Sequence, residues 1–288
     1  MQNTAKKQEL DVRRGLRLVP APPQRQNSLT LWHLLSLDAP SVAAVWTVLV
    51  ARATGVHLAW PVPAAMFVAV WLVYVADRLL DRHDLEERHR FHQRHRARFV
   101  IATAWAVPVL AALVFHFDER TLRLNLLLAS LLVAWFVIIH ASAASRRLPK
   151  ELAVGIFFPA AVFLPTVALR PDLRLELIAP AILFAMLCTL NCLFVYAWEH
   201  PHDRTQAHAT TRWALEHLDA LSFALMALAA VFTLVYREDL RVLPVCIGLG
   251  AGFLLLLDRL RATQRPTVQR ALADAALLTP LLFLPFLR

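Results

Sequence analysis

Charge is scarce in this chain, and cysteine scarcer still. Asp, Glu, Lys and Arg make up 18% of the 288 residues, against about a quarter in an ordinary soluble domain. The three cysteines, Cys188, Cys192 and Cys246, all lie inside apolar runs, which excludes a disulfide framework. Apolar and polar residues do not alternate along the runs, which argues against a membrane-spanning β-barrel. Residues 1–28 are polar and basic and lack a short apolar core closed by small residues, so no secretory leader is expected there. No RNA- or DNA-binding pattern occurs, and no nucleic-acid partner is expected.

What the chain has instead is long greasy runs. Its hydrophobic content is 58% and its mean hydropathy +0.52. Blocks of about 18 or more apolar residues with few charges predict membrane-spanning helices. Nine are expected, near residues 31–51, 58–77, 99–117, 121–141, 152–169, 175–198, 215–236, 241–258 and 270–287. The expected fold class is therefore an all-α integral membrane protein. Residues 1–28 form a basic tail, disordered or lying on anionic lipid, and residues 29–288 form a single transmembrane domain.

The basic residues set the expected orientation. The N-terminus and the loops after the second, fourth, sixth and eighth spans carry 22 of the 30 Lys and Arg. The positive-inside rule makes that side cytoplasmic. The net charge of +9 is first a topology signal. Inner (plasma) membrane localisation follows, multi-pass, with the N-terminus cytoplasmic.

Acids contribute little to topology, so the acids at the cytoplasmic helix ends need another reason. The second span runs into WLVYVADRLLD, with Asp77 and Asp81 four apart. The sixth ends in NCLFVYAWEHPHD, with Glu199 and Asp203 four apart. Glu199 follows Asp77, and Asp203 follows Asp81, by the same 122 positions, which suggests two related halves. Residues i and i+4 share a helix face. Pro201 interrupts the second pair, which then relies on a turn.

Four carboxylates converging near a membrane surface repel one another unless a hard cation joins them. Mg²⁺ takes one or two carboxylates, waters and substrate phosphate oxygens, so two such pairs suit a bridged diphosphate. Fixed cations lie on the same side: Arg146, Arg147 and Lys150 after the fourth span, and Arg78, Arg82 and Arg204 beside the acids. Guanidinium grips phosphate through paired hydrogen bonds, whereas Lys acts as a point charge. Tyr74, Phe194, Tyr196 and Trp198 lie near the acids and could face a cationic intermediate; equally, they suit an interfacial belt. Asn191, about two turns inside the sixth span, must hydrogen-bond or face a cavity. It could orient Glu199, reach a metal-bound water, or link two helices. Asp274 in the last span has Arg270 four residues before it as an expected partner, and GLGAG (Gly248–Gly252) reads as a packing contact.

These motifs together resemble the UbiA superfamily of intramembrane prenyltransferases. VYVADRLLD resembles the last two aspartates of the family's first Asp-rich motif, NDxxDxxxD, with Val73 and Tyr74 near the place of its Asn. NCLFVYAWEHPHD resembles the second motif, with Tyr196 and Ala197 as its Tyr-Ala pair, and Glu199 and Asp203 one residue early. LPKELAVGIFFPAAVFLPT resembles the segment opening the fifth helix, and RALADAALLTPLLFL the last helix. The resemblance covers residues 30–287. It implies a bundle of nine helices around a central cavity open sideways to lipid. It implies Mg²⁺-dependent transfer of a prenyl group from a polyprenyl diphosphate to a small, often aromatic, acceptor. Asp77, Asp81, Glu199 and Asp203 would bind the metal, and Arg146 and Lys150, with Arg78 or Arg82, the diphosphate.

Two other readings are open. The altered acid motifs fit a prenyltransferase-like bundle that serves as a membrane scaffold or lipid-binding protein. The histidines of HRFHQRH (His89, His92, His95), with His83, His200, His202 and His208, could hold iron. However, the HxxxH and HxxHH boxes of membrane di-iron oxidases are absent.

Overall fold

The structure is a computed structural model, and it describes residues 27–80, 87–141, 150–200 and 207–287. The regular structure of these residues is helical, without strands. In order the helices are α1 (Ser28–Leu34), α2 (Asp38–Ala53), α3 (Pro61–Leu80), α4 (Glu87–Arg94), α5 (Arg96–Val114) and α6 (Glu119–Ala141). They continue as α7 (Lys150–Leu169), α8 (Arg174–Glu199), α9 (Ala209–Glu216), α10 (Leu218–Val235), α11 (Val242–Arg259) and α12 (Pro266–Ala275).

Six stretches of the described residues are long and apolar enough to cross a membrane: Pro61–Leu80, Arg96–Val114, Pro171–Glu199, Leu218–Val235, Glu238–Arg259 and Pro266–Phe286. The α1–α2 pair would make a seventh, bent by 92°. This is the composition of a multi-pass membrane protein. The nine spans expected from the apolar runs compare with six, or seven with the bent pair, among the described residues.

The first expected helix, 31–51, is broken. Ser36 takes φ 55°, a left-handed conformation unusual for a residue with a Cβ, and the chain turns there. His33 before the bend donates to Asp38 after it (2.7 Å), so a side-chain bond spans the corner. Asp38 also opens α2, where a negative charge suits the helix N-terminus. The far end of α2 closes on Gly55 (φ 67°). The Val56 N–H reaches the Ala51 carbonyl (2.8 Å) and the Gly55 N–H the Arg52 carbonyl (3.1 Å), the paired bonds of a Schellman cap.

The last expected helix, 270–287, also changes form. After α12 the chain continues as a kinked 3₁₀ segment, Ala276–Leu282, with Pro280 inside it. Proline cannot donate a backbone bond, which frees carbonyls upstream. Neighbouring side chains bond across the segment: Trp46 Nε1 donates to the Leu277 carbonyl (2.8 Å), and Thr279 Oγ1 to the Cys246 carbonyl (2.9 Å).

α8 and α11 lie at the centre, with 50% and 44% of their span windows buried; α5, at 6%, presents nearly its whole surface outward. Such outward faces, with Trp105, Phe115 and Leu234 well exposed, suit lipid rather than water. The core gathers on Trp46, Phe184, Leu187, Phe194 and Leu254, with the Trp46 and Phe184 rings 4.2 Å apart. The GLGAG stretch packs as expected. A Cβ on Gly250 would meet Leu187 at 3.0 Å and the Ala276 carbonyl at 3.3 Å.

Candidate functional site

One end of the bundle carries nearly all its buried charge. α2 and α12 begin there, α3 and α8 end there, and α4 packs against α1 and α3. Asp77 and Glu199, from the two expected acid pairs, both belong to this end. Asp81, Arg82, Arg146, Arg147, Asp203 and Arg204 lie outside the described residues, as does the side chain of Lys150.

Asp77 is 38% exposed, and its Oδ2 stands 3.4 Å from Arg78 Nη1. Arg78 also lies 2.9 Å from His89 Nε2 on α4, and Gln93 donates to its carbonyl (3.2 Å). On the other side, Glu199 forms an ion pair with Arg270 of α12. Each described member of the expected metal-binding pairs thus has an arginine beside it.

Between these two lies a polar cluster that the acid motifs do not reveal. Asp38 is fully buried. Its Oδ1 accepts the Ala39 N–H (3.0 Å), and its Oδ2 accepts from His33 Nδ1 (2.7 Å) and Arg88 Nη1 (2.9 Å). The Asp274 carboxyl is a hydrogen-bond neighbour of Asp38. Asn191 Nδ2 donates to Asp274 Oδ1 (2.9 Å). Tyr74 lies within electrostatic reach of Asp274, Asp38, Arg88 and Cys192. The cluster draws on α1, α2, α3, α4, α8 and α12. Its sequence signal is plain in hindsight: His33 and Asp38 are the only ionisable residues in 31–51, and charge inside an apolar run needs a partner.

Asn191 therefore links two helices, one of the roles open to it from sequence. Asp274 engages Asp38 and Asn191, while Arg270, its expected partner, forms an ion pair with Glu199. Of the aromatics, Phe194 is buried core, and Tyr196 stacks on His200 with ring centres 4.4 Å apart. Trp198 donates to Asp258 (2.8 Å).

His92 of α4 is engaged in packing and local hydrogen bonds. The His92 Nδ1–H donates to the Arg88 carbonyl (3.0 Å), its Nε2 accepts from the Ser36 hydroxyl (3.4 Å), and its ring stacks on Phe99 at 3.9 Å. Burial pushes the His92 pKa down to about 4, and the neighbouring Arg88, Arg78 and His89 push the same way. Among the described residues, the group of side chains that could hold an ion is His33, Asp38 and Asp274; it does not join His89, His92 and His200, nor Cys188 and Cys192. Two depressions, of about 630 and 220 Å³, lie at the opposite end, the first ringed by Arg52, Arg170, Glu176 and Arg237 and the second by His57, His116 and Asp118.

No family model matches the chain, nor does any curated protein or solved structure. The functional reading therefore rests on the chain's own residues.

Proposed function

We propose that the protein is a divergent Mg²⁺-dependent prenyltransferase of the inner membrane, acting at its cytoplasmic side. One observation carries the reading: Asp77 and Glu199, from separate spans 122 positions apart, end at the same pole of the bundle, each beside an arginine. The reading has nine spans, with α1–α2 as one bent crossing and α6 and α7 crossing as well. The N-terminus is then cytoplasmic.

The described donors fit a hard cation in part. The Asp77 carboxylate is partly open, with its arginine at the long distance of 3.4 Å, so it can take an oxygen-seeking ion. Glu199 is held more closely by Arg270. Asp77, Asp81, Glu199 and Asp203 would hold Mg²⁺, which would supply charge compensation for the diphosphate. Arg78 would turn from Asp77 to the phosphates, aided by Arg82, Arg146, Arg147 and Lys150. The substrate C–O bond breaks with its electron pair leaving on diphosphate. The acceptor's carbon then bonds to the allylic cation and loses a proton. Tyr74 and Tyr196 would line the path of the cation.

The test is purified protein in lipid with Mg²⁺ and a panel of labelled polyprenyl diphosphates and aromatic acceptors. Release of pyrophosphate coupled to labelled lipid product is expected. Asp77→Asn should abolish it while leaving the protein inserted, and undiminished turnover by that variant would sink the assignment. A second reading, a lipid-binding scaffold of the same fold, is favoured by the arginine beside each described acid. It predicts prenyl-lipid binding without pyrophosphate release.

A further inference from the structure

The geometry points to a binding site for a divalent transition-metal cation formed by His33, Asp38 and Asp274, with the side-chain oxygen of Asn191 as a fourth ligand. The site uses neither the Asp77 nor the Glu199 carboxylate and does not depend on the transferase reading.

Three observations meet there. First, His33, Asp38 and Asp274 each offer one ligand atom, all within 4.8 Å of one another. Ligands bound at about 2.0–2.2 Å to one ion lie at most about 4.4 Å apart, so small side-chain shifts close the site. Second, the Asp38 and Asp274 carboxyls are hydrogen-bond neighbours deep in an apolar bundle. Two carboxylates in contact cannot both stay ionised unless a proton or a cation joins them. Third, Asn191 is 9% exposed, and its amide is already seated at the cluster by the bond from Nδ2 to Asp274, yet its Oδ1 has no hydrogen-bond partner among the described residues. Turning that amide over would bring its buried oxygen toward Asp274, where it is a ready ligand for a cation.

The chemistry selects the class of ion. One imidazole nitrogen among carboxylate and amide oxygens suits Zn²⁺, Mn²⁺ or Fe²⁺ better than Mg²⁺ or Ca²⁺, which favour all-oxygen shells. Once the shared proton has left, two carboxylates and the Arg88 cation give the site one net negative charge for the ion to meet. Arg88 and the Ala39 N–H hold Asp38 in place, the outer contacts that orient metal ligands elsewhere. On binding, the shared carboxyl proton leaves to solvent and neutral His33 turns a ring nitrogen to the metal. The ion would tie α1, α2, α8 and α12 together across the bend at Ser36.

The full chain, purified in detergent and stripped with chelator, is titrated separately with Zn²⁺, Mn²⁺ and Mg²⁺. Bound metal per chain and the thermal midpoint are both read. One Zn²⁺ or Mn²⁺ per chain is expected, with a higher midpoint and no comparable effect of Mg²⁺. Asp274→Asn, which keeps the shape of the side chain, and His33→Ala should each weaken uptake by at least about tenfold. Asp77→Asn should leave it unchanged, which separates this site from the proposed catalytic acids. Lack of stoichiometric uptake by the wild-type chain would overturn the site, as would an infrared band of a protonated carboxyl that metal does not remove. Undiminished uptake by Asp274→Asn would do the same.

Discussion

Arg270 lies one helical turn before Asp274 and forms an ion pair with Glu199. Both side chains of that pair are more than three-quarters buried, at 15% and 23% exposure. Taking away the guanidinium would remove this counter-charge from a partly buried carboxylate, so Arg270→Leu should destabilise the fold by about 2 kcal/mol, less than a fully dry pair because water still reaches the site. Thermal unfolding in detergent measures it, and the double variant Glu199→Gln/Arg270→Leu should recover much of the loss. His92 gives a pH signature at the same pole. Its folded pKa, about 4, lies below the ordinary imidazole value of 6.5, so the unfolded chain binds the extra proton between those limits. Stability contributed by neutral His92 is then whole above about pH 6.5 and declines as pH falls toward 4. His92→Gln should flatten that part of the curve. The acid motifs announced Asp77 and Glu199 because four-residue spacing is a local pattern. They could not announce Asp38, whose partners Arg88 and Asp274 come from 50 positions away and from the far end of the chain.

At the level of helices, close approach and proline account for what packs and what bends. Gly155 of α7 faces Thr189 and the Ala185 carbonyl of α8, and Gly250 of α11 faces Leu187 of the same helix. With lipid outside, such contacts are held by close fit rather than by expulsion of water. Gly250→Val should push α11 off α8 and lower the midpoint, at a cost of about 1–3 kcal/mol. Gly252→Ala, whose nearest contact is the flexible end of Met226 at 3.6 Å, should be close to neutral. Apolar runs made the central helices legible: the expected 175–198 and 241–258 match Arg174–Glu199 and Val242–Arg259 within a residue. The interruptions were not legible. Hydropathy is blind to the left-handed Ser36, to the break at His217 between α9 and α10, and to the 3₁₀ course after Ala275. The 3₁₀ course after Ala275 goes with a partner from another helix, Trp46, that meets the freed Leu277 carbonyl.

For the whole molecule, the unequal distribution of Lys and Arg makes the proposed sidedness testable. On the proposed reading, with nine crossings and a cytoplasmic N-terminus, the chain after Leu287 would emerge on the outer face. A reporter active only outside the cytoplasm should work when fused there and fail when fused before Ser28. Activity at both ends, or at neither, would mean an even number of crossings.

Composition and its ordering along the chain were enough to determine that this is a helical protein with several segments apolar enough to cross a membrane, and to outline its central helices. Those properties follow from the transfer of each segment out of water, which a segment carries by itself. The joining of His33, Asp38, Arg88, Asn191 and Asp274 into one buried cluster was decided only by the tertiary structure. A buried charge takes whichever partner the packing of distant helices brings within hydrogen-bond reach.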